Sequence, residues 1–380
     1  MRTIAAAALI LATTACDLPA DPPPPPGNEI DQALLATYKR AVPKKASLVA
    51  RLPESAAGAG AAVGDAAQYP QMAVPHVANV NTLIGNILDT VEAVTETPPT
   101  LYSSETAEFL WGPFDNADSP LEGDKAIVYI RDKGPDAEFH YEFAFARMMG
   151  EDVATAVPVI FGAVNPDEEV EDQGSGVLLL DFAASRAFAE ANGGVTLREG
   201  RGRFATAFFR GPDENGSGNT HTVVVGSFRG FAAEDGAETA DVDHLWGRVD
   251  TVEGNTIDFI DLSFDGNILD QSTVQETLDM QLVAFNGGLG RGEALLTGGD
   301  AGDNIGSGVE CWNAAVERQF YEVTLTDGQG TSTVIETNGD ATTGCPAPFN
   351  GPLAELNIPT LDTIDAGILT ALQNAAENGL

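Results

Sequence analysis

The side chains able to do chemistry are scarce in most classes and abundant in one. The histidines are His76, His140, His221 and His244. None recurs at the i, i+4 spacing that sets two imidazoles on one helical face, and no HExxH run occurs, so the sequence carries no zinc-hydrolase pattern. His140 alternates with Glu142 on the polar side of a predicted strand, His221 opens another, and His244, close to Asp241 and Asp243, reads as part of a solvated turn. A GxSxG nucleophile elbow is absent, and Gly174-Ser175-Gly176 and Gly306-Ser307-Gly308 are bounded by turn chemistry. The run Gly287-Gly288-Leu289-Gly290-Arg291-Gly292 has the glycine content of a phosphate loop but lacks the Lys-Ser/Thr pair and a following helix. It reads as a bulged turn, and no catalytic residue is assigned.

Carboxylates are the abundant class. They cluster at Asp167 to Asp172, from Glu234 to Asp243, and at Asp300, Asp303 and Asn304. The last group is the most Ca²⁺-like, because a Gly-rich loop brings several hard oxygen ligands close together, although the EF-hand spacing and its terminal Glu are missing. The default for that loop is solvation, and no other cofactor is expected. With so many acids, a pair suited to glycoside hydrolysis arises by chance and carries no information.

Two aromatic rows offer a different chemistry. In the strand predicted over Glu138–Ala146, Phe139, Tyr141, Phe143 and Phe145 share one side, opposite Glu138, His140, Glu142 and Ala144. In the hairpin predicted over Arg203–Phe231, Phe204, Thr206 and Phe208 face one way and Ala205, Ala207 and Phe209 the other. Apolar character on both sides fits either a core buried on two faces or a concave face lining an apolar cavity. On the second alternative, Phe139, Tyr141, Phe143, Phe145, Phe204 and Phe208 face a lipid-like ligand.

These residues need a scaffold. Helical periodicity is predicted over Ile30–Val42, ended by Pro43, and over Val77–Thr95, closed by Pro98-Pro99, with an Ala/Gly-rich linker at Ser55–Asp65. From about Thr106 the period changes to two. Strands are predicted at Ala107–Trp111, Lys125–Arg131, Glu138–Ala146, Val157–Val164, Gly176–Phe182, Arg203–Arg210, Thr220–Phe231, Leu245–Thr251, Thr256–Phe264, Thr277–Phe285, Glu293–Thr297, Val309–Trp312, Gln319–Thr326 and Ser332–Glu336. Gly-, Asp- and Asn-rich turns separate them. One helix interrupts them at Ala183–Ala191, and another closes the chain at Thr360–Asn378. The expected fold is mainly β with flanking α: a large antiparallel meander, barrel or half-barrel, covered by N- and C-terminal helices.

The net charge of −38, from 57 acidic against 19 basic residues, would repel nucleic acid and anionic lipid surfaces. It fits a surface solvated for high salt, Ca²⁺ ligation or simple colloidal solubility. No stretch after the N-terminus has the eighteen or so consecutive apolar residues of a membrane-spanning helix.

The N-terminus has the parts of a secretory signal: Arg2, an apolar run from Ile4 to Ala12 too short to span a bilayer, then Thr13-Thr14-Ala15-Cys16. It resembles the signal peptide of a bacterial lipoprotein, with Thr13 where that family usually has an aliphatic residue. The resemblance covers residues 1–16 only and implies cleavage before Cys16, lipidation of its sulfur, and a place on the periplasmic face or outer membrane of the cell envelope. The alternative is an ordinary signal with Cys16 left as a thiol. The prolines Pro22 to Pro26 prefer polyproline II and suit a stiff stand-off from a membrane. Export also implies an oxidising compartment, in which Cys311 and Cys345 are expected to pair.

The chain therefore divides into a signal (1–15), a Pro-rich spacer (16–27), a helical segment (28–100), an antiparallel β domain (101–345) and a C-terminal helical segment (346–380). The expected function is that of a non-enzymatic envelope lipoprotein. One reading has it bind a lipid-like or other apolar ligand in a curved sheet. The alternative is a structural or interaction module of the envelope whose acidic loops meet an envelope protein, a polysaccharide or Ca²⁺.

Overall fold

A computed structural model describes residues 32–379, apart from 42–43, 52, 54–59, 61, 104–105, 117–118, 120, 168, 171, 195–200, 214–215, 233–239 and 270–271. The predicted signal, the expected lipidation residue Cys16 and the Pro-rich spacer lie outside the described residues, as do most of the predicted linker and much of the first two acidic clusters.

Alternating side chains and frequent turn residues give, among the described residues, a single antiparallel meander of fifteen strands in sequence order. They are β1 (Leu101–Ser103), β2 (Glu108–Asp115), β3 (Asp124–Asp132), β4 (Tyr141–Met149), β5 (Val157–Pro166), β6 (Gly174–Asp181), β7 (Arg201–Pro212) and β8 (Thr220–Ala232), followed by β9 (Ala240–Asp250), β10 (Thr256–Gly266), β11 (Glu276–Phe285), β12 (Gly290–Thr297), β13 (Ile305–Trp312), β14 (Arg318–Thr326) and β15 (Ser332–Gly339). The sheet does not close, because β1 and β15 do not pair; it is an open half-barrel with flanking helices. Every predicted strand is present, and β1 is added. At three residues β1 is too short for a period to be read.

The helices are α1 (Gln32–Ala41), α2 (Lys45–Leu48), α3 (Gln68–Glu96), α4 (Phe182–Ala191), α5 (Ala341–Gly344) and α6 (Ala366–Asn378). Helix α3 begins nine residues before its predicted start, with Pro75 inside it. Two features outweigh the proline. Tyr69 and Ala73 extend the buried stripe of Val77, Val80, Ile84, Ile87, Leu88 and Val91. A carboxylate from the sheet also caps the first turn, since Gln68 N–H donates to Glu310 Oε1 (2.9 Å) and Tyr69 N–H to Oε2 (2.7 Å).

Glu310 lies on β13 and pairs with Arg318 Nε of β14 at 2.6 Å; both side chains are fully buried. The Arg318 guanidinium also stacks 4.6 Å from the Tyr321 ring centroid. At the other end of α3, Trp111 Nε1 on β2 donates to Thr97 O, just past the helix. The long helix thus crosses the inner face of the sheet from β13 to β2.

That inner face and helices α1 to α3 form the larger core, which includes Phe109, Trp111, Tyr141, Phe143, Phe204, Phe208, Phe228, Trp246 and Trp312. The outer face forms a second core. There Ala144, Phe161, Val177, Leu179, Ala205, Val225, Leu245 and Phe259 meet Phe349, Leu353 and Ile364 and the Ile368, Leu372 and Ala375 face of α6. Cys311 of β13 is bonded to Cys345, which follows α5, with their Cα atoms 5.4 Å apart.

Candidate functional site

The strands under the second core change character along their length. On the outer face of β9, β10 and β11, Leu245, Phe259 and Val283 are apolar and covered. At the same face's other end stand Asp243, Asp261 and Asp279. The register sets these positions side by side. Asp243 pairs with Ser263, Ser263 with Asp279, Asp279 with Leu295, and Leu295 with Ser307. In the next row Asp261 pairs with Gln281, Gln281 with Glu293, and Glu293 with Val309. Successive outward residues of a strand are two apart, so five strands lay down two polar rows.

The rows form the floor of a cleft of ≈ 440 Å³, walled by Leu361 and Asp362 and by Leu369 of α6. Among the described residues its lining carries five carboxylates, Asp243, Asp261, Asp279, Glu293 and Asp362, and no Lys, Arg or His.

Some of these carboxylates are already engaged. Asp243 accepts from Ser227 Oγ (2.7 Å) and from Gln373 Nε2 of α6 (2.7 Å), and pairs with Arg229 (2.9 Å). Glu293 accepts from Arg291 Nε (2.7 Å) and Leu353 N–H (3.0 Å). Others are open. Asp279, Asp362, Ser263, Gln281 and Ser307 line the cleft, and their side chains make no hydrogen bond or ion pair with described residues.

Asp261 lies between the two groups. It is only 5% exposed, and its Oδ2 accepts from Leu361 N–H at 2.7 Å. Burial raises its carboxyl to about 7; the negative charges of Asp362 and Asp279 push the same way, and the Leu361 N–H opposes them. A carboxyl so perturbed at the foot of a cleft marks a site for a positively charged group, whose arrival would favour its ionised form.

The residues singled out in sequence fall elsewhere. Tyr141, Phe143, Phe204 and Phe208 are buried in the inner core, and Phe145 packs against it half-buried. Phe139 does not share their row. Strand β4 starts only at Tyr141, and Phe139 joins the outer core instead. In the Asp300 loop, Asp300 Oδ1 accepts from Ser272 Oγ, Asp300 N–H donates to buried Glu276 and Asn304 Nδ2 donates to Ala301 O, while Asp300 Oδ2 is buried without a partner among the described residues. Asp303 lies between them, ahead of β13. Among the described residues no three His, Cys, Asp or Glu side chains gather as a metal ion would require.

His244 is not in a turn. It sits inside β9, 3% exposed and facing inward, because Val242, His244 and Trp246 alternate with the outward Asp241, Asp243 and Leu245. The cleft itself was missed in sequence. Its signal is the polar i, i+2 pairs Asp261/Ser263 and Asp279/Gln281, which only the strand register brings together.

No protein-family model matches the chain, and neither a curated protein nor a solved structure matches it.

Proposed function

We propose that the protein is a non-enzymatic, lipid-anchored module of the bacterial cell envelope that holds a positively charged ligand in the acidic outer cleft. The carrying observation is the lining: five carboxylates without a basic side chain, among them polar groups left unbonded on a rigid sheet floor. Unbonded side chains on a fixed scaffold need little reorganisation to meet a ligand. Leu295, Val309, Leu361 and Leu369 add apolar walls, which suit an organic ammonium or guanidinium group better than a bare metal ion.

A binding role is favoured over catalysis because neither Ser263 nor Ser307 has a histidine beside it. His140 lies by Asp132 and His221 near Asp213, while His244 is buried under α3 and the half-buried His76 packs against it. The aromatic rows give less support to a carried lipid, since they are packed against the inner helices. The lipoprotein-like signal supports the address. Changing Cys16 to Ser is expected to release the protein from membranes, and continued membrane attachment would contradict the anchor.

The cleft is tested by calorimetry with spermidine and with a short Lys-rich peptide. A protein this acidic attracts polycations anywhere, so the comparison is between variants of equal charge. Asp279→Asn/Asp362→Asn is expected to weaken binding about tenfold or more relative to Glu122→Gln/Glu253→Gln, which removes two exposed carboxylates elsewhere. Equal weakening by both pairs would rule the cleft out.

A further inference from the structure

A second feature lies on the opposite face of the sheet and is independent of the cleft. His76 projects from α3 toward His244 of β9, with ring centroids 5.6 Å apart and planes at 68°. Both nitrogens of His244 and Nε2 of His76 are buried with no hydrogen-bond partner among the described residues, as is the neighbouring Trp246 Nε1. Buried polar atoms are almost always paired, so several orphans at one contact between a helix and a sheet call for a cause.

The surroundings narrow that cause. The His76 ring meets Phe228 of β8 at 5.7 Å, and the His244 ring meets Phe204 of β7 at 5.8 Å and Phe228 at 5.7 Å. Gly226 of β8 and Leu262 of β10 flank His244 in register, and any side chain at Gly226 would strike its ring. On α3 the neighbours at helical spacing are Met72, Ala73, Asn79 and Val80, none of them titratable. Asp243, next in sequence, points to the outer face, where Ser227, Arg229 and Gln373 hold it. Among the described residues, then, the only titratable group facing either imidazole is the other imidazole. Among the described residues no carboxylate or thiol joins them as a third ligand, and the chemistry the pair itself offers is protonation.

We propose that His76 and His244 form an acid-sensitive latch, which holds α3 on the inner face while both rings are neutral and releases it when they take up protons. A proton on His244, only 3% exposed, would place a charge among Phe204, Phe228 and Leu262 with no partner among the described residues, and one on the half-buried His76 would add like-charge repulsion across the contact. In the released state both rings reach water. Burial accordingly lowers His76 from 6.5 to about 4, and lowers His244 well below its ordinary value, with His76 adding to the effect.

The sign follows from these directions. The latch is fully closed above the ordinary histidine value of 6.5 and weakens as pH falls from there toward the lowered folded values, because the released state binds more protons over that window. Release would bare the aromatic inner face, including Phe204, Phe228 and Trp246.

The test is hydrogen exchange of α3 peptides covering 68–96 in the full chain at about pH 7 and about pH 4.5, corrected for intrinsic exchange. His76 alone should raise the population with α3 released by up to about 100-fold across that interval. His76→Leu/His244→Leu should remove most of that change. The Glu310 cap is common to both proteins, so an equal loss of protection in wild type and variant would overturn the latch. Should the double variant not fold, NMR titration of the wild-type imidazoles decides. Two rings are expected to protonate below the ordinary range and in step with loss of α3 protection. Four rings titrating near 6.5 with α3 still protected would overturn the proposal.

Discussion

On the inner face of the sheet, α3 lies across the strands from β13 to β2, and aromatic side chains fill the space beneath it. On the outer face, α6 packs on β7 and β8, and along the neighbouring β9, β10 and β11 the outward residues change from Leu245, Phe259 and Val283 to Asp243, Asp261 and Asp279. The inner face buries even its polar groups. Glu310 and Arg318 are fully enclosed; Glu310 accepts from Arg318 Nε and caps the first turn of α3. The outer face leaves polar groups open along a cleft. One face holds the fold together, and the other is free to be a surface for something else.

This contrast can be broken by substitutions. The largest effect is expected for Glu310→Ala, which strands the buried Arg318 charge and two N–H groups of α3; the loss should be about 3–5 kcal/mol in denaturant unfolding. Next comes Phe204→Ala, a fully buried ring stacked 4.3 Å from Phe228, at about 3–4 kcal/mol. If either change proved neutral, the inner face would not be the structural one.

On the outer face the direction reverses. Asp261 titrates at about 7 in the fold against an ordinary 3.8, so the native state keeps its proton over that interval. Its contribution is most favourable below 3.8, declines as pH rises through the window, and is worst above 7. Asp261→Asn should therefore stabilise by about 1–3 kcal/mol at about pH 8, with the gain shrinking toward about pH 4. A stabilising change at a cleft residue is a sign that the native residue is kept for binding. The smallest effect is expected for Asp279→Asn, within about 0.5 kcal/mol in stability, because its side chain bonds to no described residue.

Much of the fold was legible in sequence. Period-two runs located the strands because one-sided or two-sided burial writes that period directly, and Cys311 and Cys345 paired as expected. The start of α3 was not legible. Pro75 signals a break, and the Glu310 cap that overrides it comes from a residue more than 200 positions away. His244 was misread because Asp241 and Asp243 made its surroundings look solvated, whereas on a strand those acids face the other way. The cleft needed register as well as period: Asp243, Ser263, Asp279 and Ser307 become neighbours only through successive strand pairings. The aromatic rows were visible, but the α3 packing that covers most of them was not.

The most direct measurement is a footprint of spermidine on the full chain by backbone NMR or hydrogen exchange near neutral pH. The account expects shifts or added protection confined to Asp261–Ser263, Asp279–Gln281, Glu293–Leu295 and the Leu361–Asp362 wall, together with release of a fraction of a proton as Asp261 ionises. A footprint spread over the exposed acids, or one centred on the inner aromatic face, would contradict it.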